Sequence, residues 1–126
     1  MPDKYILDEN NNPVRCDDLL TWGKWFEGKN RQMATTWLDE QGSEVEGLVE
    51  EKIHTLVSTI FLGMDHSHDG IGDPVLFETM VFSGPLNHEM MRYASRDEAL
   101  AGHADMVARA KIAAKRSKPK LIDKVV

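Results

Sequence analysis

The densest cluster of proton-carrying and metal-ligating side chains is Asp65-His66-Ser67-His68-Asp69. Two imidazoles two residues apart, flanked by carboxylates, are ligands that suit zinc, iron, copper or nickel. Side chains at i and i+2 share a face only in regular extended backbone, and Gly70 and Gly72 follow directly. A third ligand would have to come from His54, Glu78, His88 or His103, none of which stands in a metal motif. The competing reading is a turn in which Asp65 and Ser67 accept hydrogen bonds from backbone N–H groups. No metal is assigned, and no cofactor.

A second candidate is Glu78, in Val75-Leu76-Phe77-Glu78-Thr79-Met80-Val81-Phe82. At strand spacing it shares a face with Leu76, Met80 and Phe82, and a carboxylate there needs a partner. Arg92 or Arg96 would supply one; a ribose hydroxyl or a base amine is the functional alternative. The third candidate is a set of arginines. Arg109 and Arg116 are seven apart, so on a helix they lie on one face two turns from each other. Guanidinium forks take phosphate bidentately and stack on aromatic planes. Beside Phe82, such a face would hold a pyrophosphate and a stacked adenine together; the alternative is surface pairing with acidic residues. Walker, Rossmann, serine-elbow, paired-cysteine and HExxH patterns are all missing, so no residue is assigned as catalytic.

The elements that must position these groups are legible in outline. Lys4–Leu7 and Val14–Arg15 read as two short strands around the turn-rich run from Asp8 to Pro13. Asp17 and Asp18 place negative charge where a helix starts, Leu19, Trp22 and Phe26 fall on one face of it, and Gly28 ends it. The Trp22, Trp25 and Phe26 cluster reads as core or subunit contact rather than a stacking platform. Met33–Leu38 reads as a strand, and the acidic stretch from Glu40 to Glu51 as a connection. Ile53–Leu62 is the clearest strand. Both of its faces are mostly apolar, which predicts a central strand covered on both sides. Val75–Phe82 would pair with it antiparallel, and Met90–Ala94 would add an edge. Ser95-Arg96-Asp97-Glu98 is a capping box opening a helix to about Ser117, with Leu100, His103, Val107, Ala110 and Ala114 as its apolar stripe and Pro119 as its stop. The fold class is α+β: a mostly antiparallel sheet of about four strands, an N-terminal helix and a long C-terminal helix.

At 126 residues the chain is one domain by size, with a basic tail from about residue 117. Apolar residues make up 41% and charged residues 29%, ordinary globular values. The net charge of −6 hides a split: residues 1–105 carry 8 Lys/Arg against 20 Asp/Glu, and residues 106–126 carry 7 against one. An acidic body repels duplex DNA and RNA. No apolar run approaches a membrane span, and the opening MPDKYILDENNNP lacks a signal-peptide profile. One cysteine, Cys16, excludes an internal disulfide and fits a reducing cytoplasm.

Ser58-Thr59-Ile60-Phe61-Leu62-Gly63-Met64-Asp65-His66, then Pro74 to Phe82, then Arg92-Tyr93 and Ala101-Gly102-His103 resemble a family of small bacteriophage proteins over roughly residues 57–107. That family is similar to the phage anti-Thoeris sponges of type one. The resemblance implies a β-sheet core with helices and a non-enzymatic activity: sequestering cyclic ADP-ribose isomers made by host TIR-domain proteins, and in some members cyclic oligonucleotides. It carries an aromatic of the ligand pocket onto Phe82 and its arginines onto Arg109 and Arg116, with Arg92 in a region of polar ligand contact. Glu78, Asp65 and His66 complete the candidate ligand-binding set. The expectation is therefore a cytoplasmic, homo-oligomeric nucleotide sponge acting in an infected bacterial cell, its pocket completed by a dimer contact. The alternatives are a metal-dependent hydrolase using His66 and His68, and a phage accessory factor that binds only protein.

Overall fold

The computed structural model describes residues 2–46, 52–68 and 70–117. Asp69, the end of the acidic connection and the chain beyond Ser117, with its lysines and Pro119, lie outside the described residues. The elements run β1 (Tyr5–Leu7), β2 (Pro13–Arg15), α1 (Leu19–Gly28), β3 (Gln32–Leu38), β4 (Thr55–Phe61), β5 (Phe77–Phe82), β6 (Met90–Tyr93) and α2 (Arg96–Ser117). β1 and β2 form a separate two-stranded hairpin. Its turn is held by Asp8, whose Oδ1 accepts from the backbone N–H of Asn10 (2.8 Å) and Asn12 (2.9 Å). The main sheet is an antiparallel meander in the order β3-β4-β5-β6. The protein is α+β, with one long C-terminal helix laid across the sheet.

Both helices start as their sequences dictate. Asp18 caps α1 by accepting from the Leu20 N–H at 3.2 Å. At α2, the Glu98 N–H donates to Ser95 Oγ at 3.1 Å. The Ser95 hydroxyl donates to the Glu98 carboxylate at 3.0 Å, whereas a full capping box sends that carboxylate to the backbone N–H of the cap residue. The buried stripe of α2 is Ala99, His103, Met106, Val107, Ala110 and Ala114. Leu100 is 40% exposed, so Ala99 and Met106 take the place predicted for it.

One face of the sheet meets α2. Thr55, Val57, Thr59 and Phe61 of β4 and Phe77, Thr79 and Val81 of β5 are buried there. α1, the hairpin and Met33 close the end of the same layer. Trp25 meets Phe61 edge-on with ring centroids 5.6 Å apart, and Tyr5 and Leu7 pack on the Phe61–Phe77 cluster. The two tryptophans of α1 therefore serve packing: the Trp22 indole donates to the Gly63 carbonyl at 3.0 Å. Gly63, at φ +78°, lets the chain pass the Phe26 ring, which would lie 2.8 Å from an added Cβ.

The expectation that β4 is covered on both sides fails among the described residues. Leu56, Ser58 and Ile60 point away from α2 and are only partly buried. The physical reason lies in the threonines. Thr59 and Thr79 occupy the covered face because their hydroxyls are hydrogen-bonded there to each other and to His103, leaving the more apolar β4 residues Leu56 and Ile60 on the open one.

Candidate functional site

Helical spacing brings Arg109, Ile112, Ala113 and Arg116 to one face of α2. The β5–β6 loop closes over that face. It turns through three positive-φ residues, Ser83 (69°), Gly84 (79°) and His88 (75°). The turn is pinned by Ser83 N–H donating to Asn87 Oδ1 at 2.6 Å and His88 N–H donating to the Val81 carbonyl at 2.8 Å. This geometry seats Leu86 against the core cluster of Leu38, Val57, Val81 and Met106. Leu86, Arg109, Ile112, Ala113, Arg116 and Ser117 then line an open cavity of about 560 Å³. Two guanidiniums with an apolar wall suit a ligand that is anionic at one end and flat and apolar at the other.

Arg109 is already engaged. Its Nη2 donates to Glu89 Oε1 at 2.7 Å and its Nη1 approaches Met106 Sδ at 3.5 Å. Both side chains of the ion pair are about half exposed, at 50% and 49%. Such a pair contributes only ~0.2–1 kcal/mol, so an incoming phosphate can displace the carboxylate. Arg109 also lines a second cavity of about 250 Å³, with Met91, Tyr93, Gly102, Asp105 and Met106. The Tyr93 hydroxyl is buried with no hydrogen-bond partner among the described residues. An unpaired buried hydroxyl costs roughly 1–3 kcal/mol, and this one is closed off from solvent. Neither Tyr93 nor Leu86 was marked by sequence reasoning. Tyr93 sits in the Arg92-Tyr93 pair, but only the packing of α2 on β6 shows that its hydroxyl has no partner among the described residues.

The other candidates lie elsewhere. Phe82 projects from the face of β5 opposite α2, because it follows Val81, which is buried under that helix. It stands opposite Leu56 and is 43% exposed. The pairing of Phe82 with Arg109 and Arg116 is thus not made within one copy. Glu78 and Arg92 are cross-strand partners on that same open face, with Nε donating to Oε2 at 3.0 Å. The carboxylate is met by Arg92, one of the two partners the sequence offered.

Asp65 takes the turn role. Its Oδ1 accepts from the N–H of Ser67 at 2.8 Å and of Val75 at 2.9 Å. Burial pushes this carboxyl up, but the Ser67 and Val75 donors and the neighbouring His66 outweigh it, and the net shift is downward. His66 Nδ1 lies 2.8 Å from the Met64 carbonyl oxygen. Among the described residues no group of three or more His, Cys, Asp and Glu converges as a metal site. A further cavity of about 380 Å³ at the start of α2 includes Arg96 but also Asp73, Asp97 and Glu98, a lining that disfavours an anion.

His103 is a core residue. Its Nε2 is 2.9 Å from Thr36 Oγ1 and its Nδ1 is 2.7 Å from Thr59 Oγ1, which in turn meets Thr79 Oγ1 at 2.5 Å. One side chain of α2 thereby ties β3, β4 and β5 together. Burial lowers its pKa below the usual imidazole range, against a smaller upward pull from Glu44. Thr59, Phe61, Gly63, Phe77, Thr79, Tyr93, Gly102 and His103 all belong to the strings that carry the family resemblance, and most of them build the core. No helix among the described residues is long and apolar enough to cross a membrane. No protein-family model, curated protein or solved structure matches the chain.

Proposed function

We propose that this protein is a non-catalytic sponge that binds and holds a cyclic nucleotide messenger of the cyclic ADP-ribose type in the cytoplasm of a phage-infected bacterium, and so blunts antiphage signalling. The observation that carries the reading is that Arg109 and Arg116 line one cavity of about 560 Å³ with Leu86 and Ile112. That size falls within the ~300–1,000 Å³ of small-molecule sites. The pyrophosphate goes to the guanidinium forks and the purine lies on the apolar wall of Leu86 and Ile112. The identity of the messenger rests on the resemblance to the anti-Thoeris sponges. Holding a signal at nanomolar concentration takes about 12 kcal/mol of binding. Binding to preorganised groups with slow release meets that need without chemistry on the ligand.

The test is recovery of ligand. Protein is incubated with cyclic ADP-ribose isomers, washed, denatured, and the released molecule is identified by chromatography. Intact ligand in proportion to protein is expected for the wild type, and a loss of at least tenfold for Arg109→Glu, which sets a carboxylate against the phosphate. A cleaved product would point to a hydrolase, and unchanged capture by a folded Arg109→Glu protein would remove the groove from consideration.

A further inference from the structure

β6 is an edge strand: the sheet ends there, in the order β3-β4-β5-β6. Its register decides which backbone groups are already bonded. Val81 N–H donates to the Glu89 carbonyl at 3.0 Å, so Glu89, Met91 and Tyr93 turn their backbone groups toward β5. Met90 and Arg92 turn their N–H and C=O groups outward, and no strand among the described residues pairs with them. Side chains alternate across the sheet. Met91 and Tyr93 lie on the α2 side, where with Gly102, Asp105, Met106 and Arg109 they line the cavity of about 250 Å³. Met91 is 51% exposed, so this cavity opens beside the free edge.

We infer that a basic, extended peptide segment docks here, as a strand added to β6 with one apolar side chain in the cavity below it. Three features define that occupant. First, the outward backbone groups of Met90 and Arg92 are spaced for the main chain of another strand, the recognition mode of exposed sheet edges. Second, the Tyr93 ring and the Met91 and Met106 thioethers wall the cavity, a lining that adapts to a side chain of leucine or methionine size. The third feature is charge. Arg109 is held by Glu89 at 2.7 Å and Arg92 by Glu78 at 3.0 Å. Asp105, one helical turn before Arg109, is exposed and has no cation partner among the described residues. A lysine or arginine two positions from the apolar side chain shares its face of the added strand and meets that carboxylate. The acidic body, 20 Asp/Glu against 8 Lys/Arg over residues 1–105, attracts the same sign of partner. β6 is only four residues long, so main-chain bonds are few and the side chains decide the sequence taken. The inference stands whether or not the larger cavity holds a nucleotide.

The probe is an acetylated, amidated heptapeptide in which threonine alternates with lysine, leucine and lysine, so that the leucine and both lysines share one face. It is titrated into isotopically labelled protein and followed by two-dimensional NMR. Saturable shifts should centre on the amides of Met90, Met91, Arg92, Gly102 and Asp105. Two further peptides carry N-methyl groups, one on the threonines and one on the lysines and leucine. Only one of these sets faces β6, so one peptide should bind about tenfold more weakly than the parent and the other nearly as well. Asp105→Lys should weaken the parent peptide about fivefold and favour a version with glutamate for lysine, its spectrum away from the groove unchanged. Asp105→Asn serves if Asp105→Lys fails to fold. An absence of shifts at these amides up to ~1 mM peptide overturns the inference, as does equal binding by both N-methylated peptides. Unchanged affinity in a folded Asp105 variant does the same. Met90 and Arg92 amides that exchange slowly in the protein alone also overturn it, since a second copy or another part of the chain then holds the edge.

Discussion

Arg109 sits on a ridge between two cavities, half exposed, and its charge partner among the described residues is Glu89, half exposed as well. That combination decides how an anion would bind. The competition at this guanidinium is between the Glu89 carboxylate and the phosphate. Removing the competitor should help the ligand. Glu89→Gln is expected to tighten cyclic ADP-ribose binding about threefold at low salt, the size of an exposed ion pair, as measured by calorimetry. Equal or weaker binding in this variant would show that the anion does not displace Glu89. At the same scale Asp65 and Glu78 already have donors within one copy, two backbone N–H groups for Asp65 and Arg92 for Glu78.

Between elements, the contact that sets the site is α2 on β6, and it runs through Gly102. A Cβ at Gly102 would run into the Tyr93 ring. Helix propensity alone says that Gly→Ala in mid-helix stabilises by ~0.5–1 kcal/mol. Packing says the opposite, since forcing a methyl into a filled contact costs roughly 1–3 kcal/mol. The close approach of Tyr93 makes packing the larger effect. Gly102→Ala should therefore lower stability by about 1–2 kcal/mol in denaturant titration. A more stable Gly102→Ala protein would mean that the ring yields freely and that the smaller cavity is not fixed in shape. Arg109, two turns further along α2, should lose ligand affinity in the same variant as the helix shifts off β6.

For the molecule as a whole, His103 couples the helix to three strands, so its protonation state bears on the entire fold. Buried and neutral, it has a folded pKa below its unfolded value of about 6.5. The unfolded chain then binds the proton more readily, and acid favours unfolding. The stabilisation is fully present above pH ~6.5 and declines as the pH falls through the folded pKa. Thermal unfolding of the wild type should therefore lose stability as the pH drops below about 6.5, and His103→Gln should lack that part of the slope. The lowered carboxyl groups of Asp18 and Asp65 act in a more acidic window, below the ordinary carboxylate range. If the two proteins lose stability in parallel between neutral pH and that window, the ring does not carry a buried neutral state.

The chain by itself determined what depends on near neighbours in sequence. Hairpin turn, helix caps, strand periodicity and the length of α2 are decided within a few residues, by hydrogen bonds and side-chain spacing that any fold must respect. The i, i+7 placement of Arg109 and Arg116 was legible for the same reason. What the tertiary structure alone decided is which face of each element is covered. β4 carries apolar residues on both sides, and nothing local says that His103 will make the threonine side the buried one. That choice sends Phe82 to the open face, away from the arginines, and pulls Ala99 and Met106 inward in place of Leu100. It also leaves the Tyr93 hydroxyl without a partner among the described residues. Burial is settled by contacts between residues distant in the chain, where hydrogen-bond satisfaction and volume outweigh the hydrophobicity of any single side chain.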